Sequence, residues 1–323
     1  MKFLEKLPLP LSGTMLGCAA LGNLLDRPAL FGVIAAILWL LLVLKLIFAP
    51  NSVSAELHHP VAASVAPTFS MATIILSGSL LATDVSALAP VAFAVWLAGI
   101  VLHVALIVFY TRRFLFMFDL KQLFPSTLIV YVGIVVATLT APAFARAGYG
   151  ALARPLGVAA FWFGLASLLV LLVPLLYRTL IMRNIPRPAL STTAVFAAPV
   201  ALCAAGYLSL LNAGVFKPQT AILWVFLICV LIAWLTVLGY LLVKLLWLPF
   251  YPSCSSFTFP LVISAIAVKG LTSGPLKAAG VTSPALSVLV TIMAALATII
   301  VIYVLIRYLL YLVDLFIQRE QLG

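Results

Sequence analysis

Ten apolar stretches, each long enough to cross a hydrocarbon layer, run through this chain almost without interruption. They cover about residues 8–25, 31–49, 60–82, 89–110, 124–143, 157–177, 188–212, 221–246, 252–270 and 285–313. A membrane core takes roughly 20 apolar residues per helical span. Only 8% of the residues are charged and 66% are hydrophobic, whereas a soluble domain is about a quarter charged. A soluble fold is therefore excluded. Only helices and closed barrels satisfy their own backbone inside lipid, and a barrel needs short alternating strands rather than long apolar runs. The expected fold is all-α: one transmembrane domain filling residues 1–323, with short loops marked by Asp26-Arg27-Pro28, Pro50-Asn51, Asp84, Arg112-Arg113 and Arg183-Asn184-Ile185-Pro186. The first run carries prolines and no small-residue cleavage site, so it reads as a span rather than a removed signal.

Two rulers expose a repeat. Basic residues close the even spans at Lys45, Arg112, Arg178, Lys244 and Arg307, spaced 67, 66, 66 and 63 apart. Prolines open odd spans at Pro60, Pro125, Pro188 and Pro252, spaced 65, 63 and 64 apart. The unit is a helical hairpin used five times, all copies pointing the same way. Quasi-fivefold symmetry is the expectation. The side holding the even-span ends carries 12 of the 18 basic residues. The positive-inside rule then puts both termini in the cytoplasm of a multi-pass protein of the cell membrane. The net charge of +11 needs no nucleic-acid partner; at a pore mouth it favours anions.

Odd and even spans differ in chemistry. Over the ranges above, the odd spans hold 21 Ser and Thr, the even ones 5. Small hydroxyl residues belong where helices pack closely or where water enters, and they also bond back to their own helix. Because the imbalance repeats with the hairpin, the odd spans are expected to form an inner ring around a central pore. Ser12, Gly13, Ser64, Ser126, Thr192 and Ser255 are the candidate lining residues. Pro67, Pro199 and Pro260 lie inside odd spans and are expected to kink them.

No enzyme chemistry is visible. All seven acids (Glu5, Asp26, Glu56, Asp84, Asp119, Asp314 and Glu320) sit at span ends or in loops, so no carboxylate stands mid-membrane. Three scattered histidines, His58, His59 and His103, make neither a haem pair nor a metal set. The cysteines Cys18, Cys203, Cys229 and Cys254 lack metal or redox spacing and read as small buried hydrophobes. No cofactor and no metal is expected.

In the ninth span, Phe257 and Phe259 are two residues apart. Successive helical residues turn about 100°, so only one of the pair can face an axis while the other packs. Taken alone, packing is the default for either. The segments PLPLSGTMLGCAALGN, HHPVAASVAPTFSM, FAAPVALCAAGYLS and SFTFPLVISAIA, in this order along the chain, resemble the TehA-like tellurite-resistance/dicarboxylate transporter family, to which plant slow anion channels are also similar. The resemblance implies ten helices in five hairpins around a pore, a homotrimer with one pore per protomer, and a phenylalanine gate in a motif that reads Phe257-Thr258-Phe259-Pro260 here. Phe259 is then the gate. Thr258 stands where the family has Ser. The short tails resemble nothing in the regulated tails of the plant proteins. The implied function is an anion-selective channel or channel-like exporter for small inorganic or organic anions. The alternative is a C4-dicarboxylate (malate) or tellurite- or sulfite-linked secondary transporter on the same fold.

Overall fold

The breaks between helices fall where proline, glycine or charge interrupts an apolar run. A computed structural model describes residues 2–83, 85–116, 119–281 and 283–320, the side chains of Lys2 and residues 315–320 excepted. Asp84 lies outside the described residues, as do the side chains of Lys2, Arg319 and Glu320. The described residues are helical with no strand. The principal segments are α1 (Leu11–Leu24), α2 (Pro28–Phe48), α3 (Pro60–Leu81), α4 (Ala89–Tyr110), α5 (127–144), α6 (Gly150–Leu176), α7 (Arg187–Asn212), α8 (Thr220–Val243), α9 (252–273) and α10 (Pro284–Glu320). Short helices at Lys2–Lys6 and Pro50–Leu57 lead into α1 and α3.

Several boundaries differ from the hydropathy reading. α1 starts at Leu11, because Pro8 and Pro10 cannot donate into a helical ladder. Its 14 residues rise about 21 Å, short of a hydrocarbon core of roughly 30 Å. Between α5 and α6 the helical path is nearly continuous and turns at Gly148, whose φ is 97°. A side chain would be strained there. α6 consequently begins seven residues before the expected 157. α10 runs on to Glu320.

Burial separates the helices into two sets. In the spanning windows of α3, α7 and α9, 72%, 78% and 83% of residues are buried; in those of α2, α4, α8 and α10 the shares are 22%, 33%, 28% and 28%. α1 and α5 join the buried set. The buried helices touch in a closed cycle, α1 to α3 to α5 to α7 to α9 and back to α1. The exposed helices wedge into the grooves outside: α6 packs on both α5 and α7, and α10 on both α9 and α1. Lipid-facing positions carry large apolar side chains such as Ile37, Val170, Val225 and Leu309. Cys229 on α8 is exposed, against the expectation of burial, because it lies on this lipid-facing surface. The other three cysteines are buried and unpaired.

Each inner helix changes its winding part-way along. In α1, the N–H groups of Leu11, Ser12 and Gly13 bond three residues back. α3 breaks at Ala66 and restarts at Pro67. α5 tightens at Gly133–Val135, α7 at Ser191–Ala197 and α9 at Pro252–Phe257 before ordinary helix resumes. Pro67, Pro199 and Pro260 therefore sit in the first turn of a resumed helix rather than interrupting an unbroken one. A proline is tolerated there because its missing N–H would have no helical partner.

A candidate ion pathway

All five interfaces of the inner ring carry a hydrogen bond from a hydroxyl. Ser12 Oγ and Thr68 Oγ1 lie 2.6 Å apart between α1 and α3. Ser64 Oγ and Ser126 Oγ lie 2.6 Å apart between α3 and the start of α5. Ser209 Oγ donates to Thr138 O at 2.9 Å between α7 and α5. Ser191 Oγ donates to Ser253 Oγ at 2.6 Å between α7 and α9. Thr258 Oγ1 donates to Gly13 O at 3.0 Å, closing α9 onto α1. The Thr138 bond has a clear cause. Pro142 lacks the N–H that would normally satisfy the carbonyl four residues back, and Ser209 supplies it. Such bonds inside a membrane contribute about 0.6 kcal/mol each on average, so they fix register more than they add stability.

Inside this ring is a small cavity. Every inner helix contributes to its wall: Gly13 and Leu16 from α1; Thr68 and Met71 from α3; Val132 and Gly133 from α5; Val195 and Pro199 from α7; Ser256 and Phe259 from α9. Its free volume for water-sized particles is about 30 Å³, room for about two or three waters. Among the described residues no charged side chain lines it. The Ser256 hydroxyl is buried at this wall without a hydrogen-bond partner among the described residues.

Phe259 is 5% exposed and faces this cavity. Phe257 faces the opposite way. It is buried and lines a separate small cavity with Leu245, Leu248, Phe250 and Tyr303. Side chains of α9 press on the backbone of α1 beside this pair. A Cβ on Gly13 would lie 2.8 Å from Ser255 Oγ, and one on Gly17 would lie 2.5 Å from Thr258 Oγ1. Only glycine admits the approach.

Of the six candidate lining residues, Gly13 and Ser255 line the cavity. Ser12, Ser64 and Ser126 are engaged in the interhelical bonds above, and Thr192 donates to Ala189 O within its own chain segment at 2.7 Å. Pro199 and Pro260 line the cavity; Pro67 does not, although its neighbours Val65 and Thr68 do. The apolar wall residues Leu16, Met71, Val132 and Leu202 carried no distinguishing signal in the sequence.

A family model described as voltage-dependent anion channel matches residues 9–309. The chain belongs to that family. The match spans from just before α1 into α10, so it covers the whole inner ring and its outer helices. Family membership places the chain among anion channels and transporters of membranes rather than among enzymes. No curated protein sequence matches it.

Within this family fold, the periodic basic residues acquire a structural meaning. Lys45, fully buried at the end of α2, pairs with Glu56 and donates to Leu7 O, tying together the segments that lead into α1 and α3. Arg178, 2% exposed at the end of α6, donates to Lys121 O at 3.4 Å and Asn184 O at 2.6 Å, tying the segments that lead into α5 and α7. About two-thirds of the way along α10, Arg307 lies over the Phe250 ring and Tyr308 donates to Pro252 O at the start of α9. Arg112 and Lys244 are exposed and make no such clasp among the described residues. His103, on α4, is fully buried. Its Nδ1 lies 2.8 Å from Ser70 Oγ and its Nε2 3.1 Å from Val130 O, so it bridges α4 to both α3 and α5.

Proposed function

We propose that this chain conducts small anions along the axis of its inner ring, and that Phe259 closes the path. The observation that carries this reading is the position of Phe259 in a cavity walled by all five inner helices. An apolar constriction that admits two or three waters stops an ion by bulk and by dewetting. With no cation at the wall, an anion is held weakly, as conduction requires. Selection then favours anions that shed water easily, and the basic residues at both mouths raise their local concentration. Chloride and nitrate are the expected ions. The excess of basic residues at the even-span ends supports cytoplasmic termini in a cell membrane. The family resemblance supports assembly as a trimer with one path per copy.

The test is anion current in liposomes containing wild type, Phe259→Ala or Phe257→Ala. Phe259→Ala is expected to raise chloride and nitrate current several-fold, with a reversal potential that follows the anion gradient. Phe257→Ala is expected to leave it low. Unchanged current in folded Phe259→Ala protein rejects the gate. Saturable malate uptake without current, in the wild type and the variant alike, replaces the channel by a carrier.

A further inference from the structure

At the end of the bundle opposite the termini, α6 fits between the ends of α5 and α7, and a pocket of about 200 Å³ opens over the wedge. Its polar lining is Arg146 from the end of α5, Arg154 from the first turns of α6, and Asn212 from the end of α7; Pro142, Ala145 and Leu210 supply apolar wall. The Gly148 turn brings the two arginines to one pocket, since they flank the reversal of the chain. Neither guanidinium has a hydrogen-bond or ion-pair partner among the described residues, and neither donates to the carbonyls that end α5 and α7.

Among the described residues no carboxylate answers them; Asp84, in the loop after α3, lies outside the described residues. Residues 120–313 contain eleven Lys and Arg and no Asp or Glu. Lys269, at the same end, reaches back to Asp26 for its partner at 3.1 Å. Arg146, Arg154 and Asn212 are exposed at the pocket's rim and so reachable from solvent; an oxyanion between the two arginines would offset their like charge, and arginine's planar donors match its oxygens. The pocket is also held in shape. About two turns below it, Thr138 Oγ1 donates to Gly157 O at 2.8 Å and Ser209 Oγ to Thr138 O at 2.9 Å, stitching all three helices.

We propose that this pocket binds a doubly charged oxyanion between Arg146 and Arg154, with Asn212 donating a third hydrogen bond. The site is distinct from the axial cavity and does not depend on conduction. A free oxyanion and the phosphate of a lipid headgroup present the same oxygens, and the experiment separates them.

Full-length protein in lipid-free neutral detergent is titrated with sodium sulfate at low ionic strength by calorimetry. Wild type is expected to bind saturably. Arg146→Gln/Arg154→Gln is expected to weaken binding at least tenfold. Lys217→Gln/Lys277→Gln removes the same charge from the same end and is expected to leave affinity within twofold. Absence of saturable sulfate binding overturns the proposal. So does an equal loss in the lysine variant, which would mean diffuse surface potential. In nanodiscs, sulfate affinity that is unaffected by phosphatidic acid identifies a free oxyanion as occupant. Competition by that lipid, lost in the arginine variant, identifies the headgroup. Either result supports the site. Phe259→Ala current in the same preparations keeps the two ideas apart. Sulfate binding without current leaves the site and removes the channel, whereas current without sulfate binding does the reverse.

Discussion

Replacing Glu56 by Gln tests the clasp at the entrance to α1 and α3. Lys45 has no exposed side-chain surface and Glu56 has 24%. The ammonium has three protons and four neighbours: the Glu56 carboxylate, Leu7 O, Ser52 Oγ at 3.1 Å and Glu5 O at 3.4 Å. The other Glu56 oxygen accepts from Leu9 N at 2.8 Å, and a glutamine can keep that bond. Glu56→Gln therefore removes the countercharge and, with its oxygen kept on Leu9 N, turns a donor NH2 toward the ammonium in place of an acceptor. Stripping one partner from a buried pair costs about 3–5 kcal/mol. Three neutral acceptors stay with the ammonium, so the low end, about 3 kcal/mol, is expected. Lys45→Met/Glu56→Gln removes the stranded charge as well, and replacing both members of such a pair is often near neutral. The double variant should thus be more stable than Glu56→Gln alone, with a coupling of about 2 kcal/mol. The assay is equilibrium unfolding in mixed detergent micelles, followed by tryptophan fluorescence. A Glu56→Gln protein within about 0.5 kcal/mol of wild type, the range of an ordinary surface change, would refute the reasoning. So would a double variant that loses the sum of both single losses.

Three other outcomes follow from the packing. Gly17→Ala puts a methyl 2.5 Å from Thr258 Cβ; forcing α1 off α9 is expected to cost about 1–3 kcal/mol in the same unfolding assay, while Gly32→Ala, with nothing within 4 Å, should be neutral or gain up to about 1 kcal/mol. Ser209→Ala leaves the Thr138 carbonyl orphaned beside Pro142, a loss of about 1–3 kcal/mol that Ser209→Thr should partly restore. Phe257→Ala empties a buried site and should cost about 3–5 kcal/mol with no rise in anion current, so stability and current separate the two phenylalanines.

Much of the architecture was legible because its causes are local or periodic. Of the five basic residues that recur at one spacing, Lys45, Arg178 and Arg307 each contact the segments at the entrances of inner helices, and Arg112 and Lys244 are exposed. The Ser and Thr excess marked the inner helices correctly. The purpose of individual hydroxyls was not legible. Ser12, Ser64 and Ser126 turned out to bond across helix interfaces, and a count of hydroxyls carries no information on which way each one turns. The two-residue offset of Phe257 and Phe259 foretold different faces, but which face meets the cavity depends on how α9 packs against α1, a contact between residues some 240 positions apart. The shortness of α1 escaped the hydropathy reading because Pro8 and Pro10 are apolar enough to extend a run that they cannot extend as helix. Arg146 and Arg154 looked like ordinary interfacial charges until the Gly148 turn brought them to one pocket.

The bond from Thr258 Oγ1 to Gly13 O joins residues 245 positions apart, and that separation has a consequence for biosynthesis. At about 5–20 residues per second, a ribosome that has just released α1 takes roughly 12–50 s to deliver its partner α9. Throughout that interval the first hairpin sits in the membrane with one flank bare and its close-approach glycines facing lipid or a chaperone. The ring can assemble hairpin by hairpin, but its seam is sewn last. A chain truncated after α8 is therefore expected to remain open on the α1 side and to be a preferred substrate for membrane quality-control proteases.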